Sequence, residues 1–241
     1  MIECKARILC TRPLDATLTG QAARQGIIMD SLSFISTQAN VDAAMSARIG
    51  ELSGSSAVSV FTSMNAVEAV AGALKAHNPS AAWKIFCIGA ATRRFAAENF
   101  GEDSIAGTAG SAGALADVIL SNPVVRAVVF FCGDQRRNEL PERLRQAGVR
   151  VEEIVVYRTM QTPHKVGPIY DAVIFFSPSA VHSFFSDNIL PDQTLLFAIG
   201  DTTARAIRQY TGNKTIVSAS PDKEALVLQV IDYFSTNNIH H

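Results

Sequence analysis

The sequence predicts an α/β fold made of two doubly wound, parallel-sheet domains. Three observations predict it: strand-sized apolar runs, helical patterns that alternate with them, and an internal repeat whose units recur in one order. The runs at 58–62, 84–88, 127–132, 172–176 and 195–199 are continuously apolar, as parallel strands covered on both faces are. Helical patterns follow at 65–76, 92–99, 113–120, 140–147, 180–185, 203–210 and 223–234. Strand and helix in alternation imply right-handed βαβ crossovers.

The repeat is the most informative feature. Val60-Phe-Thr-Ser63-Met-Asn-Ala-Val67 resembles Phe175-Phe-Ser-Pro178-Ser-Ala-Val181, and Phe86-Cys-Ile-Gly89-Ala-Ala-Thr92 resembles Phe197-Ala-Ile-Gly200-Asp-Thr-Thr203. Ser111-Ala-Gly-Ala-Leu-Ala resembles Ser220-Pro-Asp-Lys-Glu-Ala-Leu. More weakly, Ile8-Leu-Cys-Thr11-Arg12-Pro13 matches Phe130-Phe-Cys-Gly133-Asp134. A cut into successive halves falls near Ser121-Asn122-Pro123. The segments 31–36 and 153–157 read as extended strands, each just after a first-unit strand. Paired as a linker, they would let each domain take its first strand from the other half. The repeat leaves both arrangements open.

Composition narrows the class. The 241 residues fit one or two domains. Hydrophobic residues at 48% against 18% charged supply packed cores and exclude a disordered chain. A membrane span needs about 20 apolar residues, far more than any run here. A net charge of -1 offers no basic field for nucleic acid. Met1-Ile-Glu-Cys-Lys lacks an apolar core behind a basic start, so no secretory signal is expected and a cytoplasmic protein fits. Cys10, Cys87 and Cys132 lie in apolar runs and read as reduced core thiols, and no C-x-x-C pair includes Cys4. His77, His164, His182, His240 and His241 show no metal-ligand spacing, so no metal site is expected.

Ligands of parallel α/β domains gather beyond the carboxyl ends of strands. The turns there are Thr62-Ser63, Gly89 to Thr92, Gly133 to Arg137, Ser177 to Ser179, and Gly200 to Thr203. Two such mouths facing each other would form a cleft of hydroxyls and helix N-terminal N–H donors, suited to carboxylates or phosphates. Bland roles compete: Ser63 and Ser177 suit N-caps worth about 1 kcal/mol each, Thr92 and Thr203 suit caps too, and Gly89 and Gly200 suit tight turns. Arg136 and Arg137 gain nothing from the dipole of a helix start, which favours an anion partner. There is no G-x-S-x-G, Walker loop or G-x-G-x-x-G, and Asp134 and Asp201 stand without a second carboxylate. Tyr157, ending an apolar strand before Arg158-Thr159, is one acid–base candidate; core or interface packing is its competing role.

Six motifs in order resemble the uroporphyrinogen-III synthase family: Thr62-Ser63-Met-Asn-Ala-Val, Ile88-Gly-Ala-Ala-Thr92, Cys132-Gly-Asp-Gln-Arg-Arg-Asn-Glu-Leu-Pro141, Val155-Val-Tyr-Arg-Thr159, Phe176-Ser-Pro-Ser179 and Ile199-Gly-Asp-Thr-Thr-Ala-Arg205. The resemblance implies two flavodoxin-like domains joined by a two-stranded antiparallel linker. It assigns 1–32 with 162–241 to one domain, 39–152 to the other, and 33–38 and 153–161 to the linker strands. Two linker strands make hinge motion the default expectation.

The implied reaction cyclises linear hydroxymethylbilane to uroporphyrinogen III. Hydroxide leaves ring A, a spiro intermediate forms, ring D inverts and the macrocycle closes, without metal or organic cofactor. Tyr157 matches the tyrosine that helps the hydroxyl depart. Ser63, Thr92, Ser177, Thr202 and Thr203 match cleft hydroxyls, and Gly200 a product-holding turn. Thr11, Arg12, Gly89, Gly133, Arg137 and Ser179 complete the expected substrate contacts. Asp201 and Met64 stand where relatives often carry proline. The expected partner is hydroxymethylbilane, with handover from hydroxymethylbilane synthase as one route of supply. The expected state is a monomer, with no nucleic acid and no membrane. The main rival is a non-enzymatic two-domain binder of a small anionic ligand; a hydrolase or transferase on a similar scaffold would need a nucleophile–base pair that the sequence lacks.

Overall fold

A computed structural model describes residues 4–75, 82–167, 169–220 and 222–236. His77, His240 and His241, considered above as metal ligands, lie outside the described residues. The chain divides into two compact units, one of Met1–Ser36 with Met160–His241 and one of Thr37–Thr159.

The first unit contains β1 (Ala6–Cys10), α1 (Ala16–Arg24), β2 (Ile27–Ser31), β9 (Ala172–Phe175), α7 (Pro178–Phe185), β10 (Leu195–Ala198), α8 (Asp201–Ile207), β11 (Thr215–Val217) and α9 (Lys223–Thr236). Its strands form one parallel sheet in the order β11-β10-β9-β1-β2. The alternation of β1 feeds two cores. Ile8 and Cys10 pack with Leu18 of α1 and Leu226 and Phe234 of α9. Leu9 packs on the other face with Val181 and Phe184 of α7 and Ile207 of α8. Burying each such side chain stabilises by about 1.5–3 kcal/mol. Both faces of β1 are therefore consumed, which is why Ile8-Leu9-Cys10 is continuously apolar.

The second unit contains α2 (Ala43–Ser53), β4 (Val58–Phe61), α3 (Met64–Lys75), β5 (Lys84–Ile88), α4 (Ala90–Phe100), β6 (Ile105–Ala109), α5 (Ala112–Leu120), β7 (Ala127–Gly133) and α6 (Glu139–Gln146). Two further strands, β3 (Ile35–Ala39) and β8 (Arg150–Gln161), carry the boundaries between the units within them. The sheet order is β3-β8-β7-β4-β5-β6. Phe61, Ile85 and Phe131 pack against Val67, Val70 and Leu74 of α3, and Trp83 joins them while donating Nε1–H to the Leu52 carbonyl at 2.8 Å. Val60, Phe86 and Phe130 pack on the opposite face against Leu115 of α5 and Leu140 and Leu144 of α6.

All pairings in this sheet from β8 to β6 are parallel. β3 runs antiparallel to β8: Asn40 N–H donates to Val156 O at 2.8 Å, while Thr162 N–H donates to Phe34 O at 3.0 Å. The extended segment expected from residue 31 thus begins at Ile35, because Ser31 still belongs to β2 and Leu32 N–H continues the ladder to Cys10 O at 3.0 Å. β3 and β8 are also full members of the six-stranded sheet.

Both sheets share one winding order. The run β6-β5-β4-β7-β8 matches β11-β10-β9-β1-β2 position by position. The internal repeat is the sequence trace of this equivalence, with β4 answering to β9, β5 to β10 and β7 to β1. Cys10, Cys87 and Cys132 are buried free thiols, which burial pushes up to about 12 for Cys10 and about 11 for the other two.

Candidate functional site

In each unit the parallel strands bring their expected residues to one carboxyl edge. In the second unit that edge gathers Ser63 after β4, Gly89 and Thr92 after β5, Gly133 and Arg137 at the end of β7, and Tyr157 in the adjacent strand β8. In the first unit it gathers Thr11 and Arg12 after β1, Ser177 and Ser179 after β9, and Gly200, Thr202 and Thr203 after β10.

The serine turns cap their helices. Asn65 N–H donates to Ser63 Oγ at 3.2 Å, and Ala180 N–H donates to Ser177 Oγ at 3.2 Å. Each bond uses the hydroxyl as acceptor and leaves its O–H free to donate outward. The threonines do otherwise than expected. Gly89 is the N-cap of α4 and Gly200 that of α8, neither carrying a side-chain capping bond. Thr92 and Thr203 lie inside the first helical turn and are buried, so neither is a cap. In both helices the third residue past the cap turns its side chain inward while the second faces out. Thr202 is exposed and Ser179 is buried.

The two glycines differ. Gly89 has φ 82° and ψ 151°, a region that L side chains avoid, whereas Gly200 has φ 179° and is ordinary extended backbone. The first turns of α4 and α8 both lack a side-chain cap because the glycine at each cap position has no side chain to accept from their N–H groups.

Tyr157 owes its position to an irregular register. Along β7 and β8, Cys132 pairs with Val155 but Gly133 pairs with Tyr157, so one extra residue is accommodated on β8. Ile154 and Val156 point into the α3-side core, and Val155 into the opposite one. Strict alternation would send Tyr157 after Val155. The bulge turns it back to the α3 side, against Gly133. A Cβ on Gly133 would overlap the Tyr157 ring at Cζ and stand 2.7 Å from its hydroxyl oxygen. Gly133 is a glycine because the phenol lies on it.

Three further contacts fix the bulge. Asn40 Nδ2–H donates to Val155 O at 3.0 Å, Asp134 N–H donates to Tyr157 O at 3.2 Å, and Thr159 N–H donates to Asp134 Oδ1 at 3.0 Å. Asp134 therefore holds backbone. The phenol of Tyr157 is half-buried and makes no hydrogen bond among the described residues. Its side chain also lines a cavity of about 590 Å³ between β3, α2 and α3, with Thr37, Ser46, Asn65 and Glu68. That volume is typical of small-molecule pockets.

The arginine pair after β7 separates in role. Arg136 forms an ion pair with Glu153, without hydrogen-bond geometry at the buried Oε2, and Arg145 donates to Glu153 Oε1 at 2.6 Å. Arg137 is exposed and carries no ion pair among the described residues. In the first unit, Thr11 is buried, and its Oγ1–H donates to Ile174 O at 2.8 Å. Its hydroxyl proton is spent inside the fold, so Thr11 serves to set the chain direction into Arg12. No group of three or more metal-ligating side chains occurs among the described residues. No helix among them is long and apolar enough to cross a membrane.

Sequence reading passed over Asn40, Glu153, Phe176 and Lys223. Asn40 and Glu153 act through backbone or ion-pair contacts distant in sequence, and no local pattern marks them.

Comparison with known proteins adds the chemical context. A family model described as uroporphyrinogen-III synthase HemD matches residues 16–228. A curated uroporphyrinogen-III synthase from Saccharomyces cerevisiae is 27% identical over 174 residues, and the match spans 59% of this chain and 62% of that protein. Among solved structures, the uroporphyrinogen-III synthetase of Helicobacter pylori superposes with a TM-score of 0.64 at 14% identity, covering 95% of this chain and 99% of that one. A mutant uroporphyrinogen III synthase of Thermus thermophilus gives a TM-score of 0.59 at 17% identity, covering 96% and 99%. At such identities the superpositions speak for the fold.

Proposed function

The chain belongs to the uroporphyrinogen-III synthase family, and from that premise we propose that it closes linear hydroxymethylbilane to uroporphyrinogen III. The observation that carries the site assignment is the Tyr157 phenol, pinned over Gly133 by the bulge of β8 and left without a partner among the described residues. In the reaction the C–O bond of the ring A hydroxymethyl group breaks and its carbon bonds to the substituted position of ring D, giving the spiro intermediate. The bond from that ring D carbon to the methylene shared with ring C then breaks and re-forms at the free position of ring D, which loses its proton, so that water is the net product released. Departure of the hydroxyl needs a donor at the leaving oxygen, and the phenol supplies a hydrogen bond or proton there. Cationic azafulvene character then develops at ring A. The inversion of ring D requires the remaining rings to be held while one turns over.

Holding falls to groups that grip carboxylates without reacting. The substrate carries eight of them. Uncapped N–H groups at the start of α4, the outward O–H of Ser63 and Ser177, the side chains of Thr92, Ser179, Thr202 and Thr203, and the cations Arg12 and Arg137 suit that task. Gly133 makes room for the phenol, and Gly89 and Gly200 keep the helix starts open. The reading needs no metal or organic cofactor and places a monomer in the cytoplasm, with its substrate handed on by hydroxymethylbilane synthase. Family membership favours this lyase over a non-enzymatic binder. The test is incubation with hydroxymethylbilane followed by separation of the product isomers. Isomer III in excess supports the reading. Isomer I alone, the product of closure without ring inversion, refutes it.

A further inference from the structure

The cavity of about 590 Å³ that Tyr157 lines is walled by small residues: Ala39 on β3, Ala43 on α2, and Ala69, Gly72 and Ala73 on α3. Glycine inside a helix is destabilising relative to alanine. An added Cβ on Gly72 would meet nothing within 4 Å, so packing does not require the glycine. α3 gives up stability at a place that faces open space.

The charges on this wall have one sign. Besides the phenol, its ionisable residues are Asp42 and Glu68, and among the described residues no lysine, arginine or histidine lines it. Asp42 is engaged by its own helix, Oδ1 accepting from Met45 N–H at 2.8 Å. Glu68 is exposed and makes no hydrogen bond or ion pair among the described residues. One turn away on α3 stand Met64, Asn65, Ala71 and Gly72, so the helix supplies it no cation. Asn65 lies three residues before it on the same helix face, and its side-chain amide is also without a partner among the described residues. Two open acceptors thus share one cavity with an open phenol. Such a wall repels a carboxylate and favours a pyrrole N–H or a positive charge.

We propose that this cavity receives the ring whose hydroxyl leaves, and that Glu68 is the counter-charge of the cation formed there. The proposal rests on the reading given above and deepens it, by assigning the reacting ring to one cavity and its charge to one carboxylate. As the C–O bond breaks, its electron pair leaves with the oxygen, which takes the phenol's proton and departs as water. The ring nitrogen keeps its proton and shares the positive charge with the freed methylene carbon. Glu68 opposes that charge without forming a bond, while Asn65 Oδ1 accepts from the ring N–H. The proton that ring D later loses restores the phenol. The ring's own acid side chains point out of the cavity. Before the cation forms, Glu68 repels a substrate of eight carboxylates; afterwards it attracts the reacting ring. Its action therefore falls on the transition state and works against ground-state binding.

The test compares wild type with Glu68→Gln, Glu68→Asp and Gly72→Leu, each checked by thermal melting. In steady-state kinetics with hydroxymethylbilane, Glu68→Gln lowers kcat about tenfold and lowers KM about twofold, a modest loss because water screens an exposed carboxylate. Glu68→Asp retains part of kcat. Gly72→Leu fills the cavity and raises KM about tenfold. Calorimetric titration with reduced uroporphyrinogen III, whose rings are uncharged, needs no turnover: Glu68→Gln binds it about twofold more tightly and Gly72→Leu about tenfold more weakly than wild type. Wild-type kcat in folded Glu68→Gln overturns the counter-charge, as does a fall in kcat with KM raised, the mark of a disturbed wall. Wild-type KM and wild-type uroporphyrinogen affinity in folded Gly72→Leu overturn the cavity as the place of the ring. If Gly72→Leu fails to fold, the smaller Gly72→Val decides by the same two readouts. Should wild type convert no hydroxymethylbilane, the functional reading falls and the counter-charge with it, and the titrations alone decide whether the cavity takes a pyrrole ring.

Discussion

At the end of β1 the chain reads Cys10-Thr11-Arg12, and at the end of β7, the strand in the equivalent place of the other sheet, it reads Cys132-Gly133-Asp134. Both cysteines are buried core thiols, so the strands diverge only where they leave the sheet. In the first unit Thr11 turns inward to Ile174 O and delivers an arginine without a carboxylate. In the second unit a glycine clears the space that a phenol fills, and the aspartate ties down the strand that carries the phenol. On the reading proposed above, the first edge adds an arginine that holds an anion and the second a phenol that donates, while helix starts and hydroxyls that grip lie on both. The contrast teaches that one winding order carries different side chains just past equivalent strand ends.

The contrast breaks most visibly at the phenol. Tyr157→Phe keeps the ring over Gly133 and deletes the donor, so isomer III formation falls about 10²- to 10⁴-fold while the melting temperature holds. The loss exceeds that of alanine replacements at Ser63, Thr92, Ser177 or Thr203, whose work is shared with backbone N–H groups. Initial rates of isomer III formation for the five variants check the ranking.

A smaller effect is expected from Gly133→Ala. The added Cβ enters the space of the Tyr157 ring and displaces it. Activity drops although Tyr157 is untouched, and overpacking costs about 1–3 kcal/mol. At the equivalent place Thr11→Val loses one buried hydrogen bond, about 1 kcal/mol of stability. Urea unfolding read beside activity separates the two: only the glycine change lowers rate more than stability accounts for.

The smallest difference lies between the two glycine turns. Gly89→Ala forces an L residue to φ 82° and costs about 1–3 kcal/mol. Gly200→Ala meets an extended backbone with no atom within 4 Å of the new Cβ, and stays within about 0.5 kcal/mol of wild type. Equal costs for the two, measured by urea unfolding, would remove the distinction.

Much of the frame was readable from the chain because parallel strands buried on both faces leave continuous apolar runs, as β7 and β9 do. The helices α1 and α2 were not, because only Leu18 and Ala22 of one and Ile49, Leu52 and Ser53 of the other are buried, too few to mark a periodicity. Their N-caps Asp15 and Asp42 were the available signals. The three-residue strand β11 is too short to register. At the site, the strand-end hydroxyls follow from the repeat. The facing of Tyr157 does not, since it depends on a single-residue bulge set by Asn40 and Asp134. Nor does the stacking of Arg12 on Phe176, residues far apart in the chain that are brought together where β1 pairs with β9.

The division between gripping and chemistry is tested most directly by full kinetics on Tyr157→Phe and Arg12→Gln side by side, with hydroxymethylbilane as substrate and the isomers resolved. The account predicts that Tyr157→Phe loses kcat about 10²- to 10⁴-fold with KM nearly unchanged. It predicts the reverse for Arg12→Gln, a raised KM with kcat retained. Tyr157→Phe at near-wild-type kcat, or Arg12→Gln losing kcat while KM stays put, would contradict it.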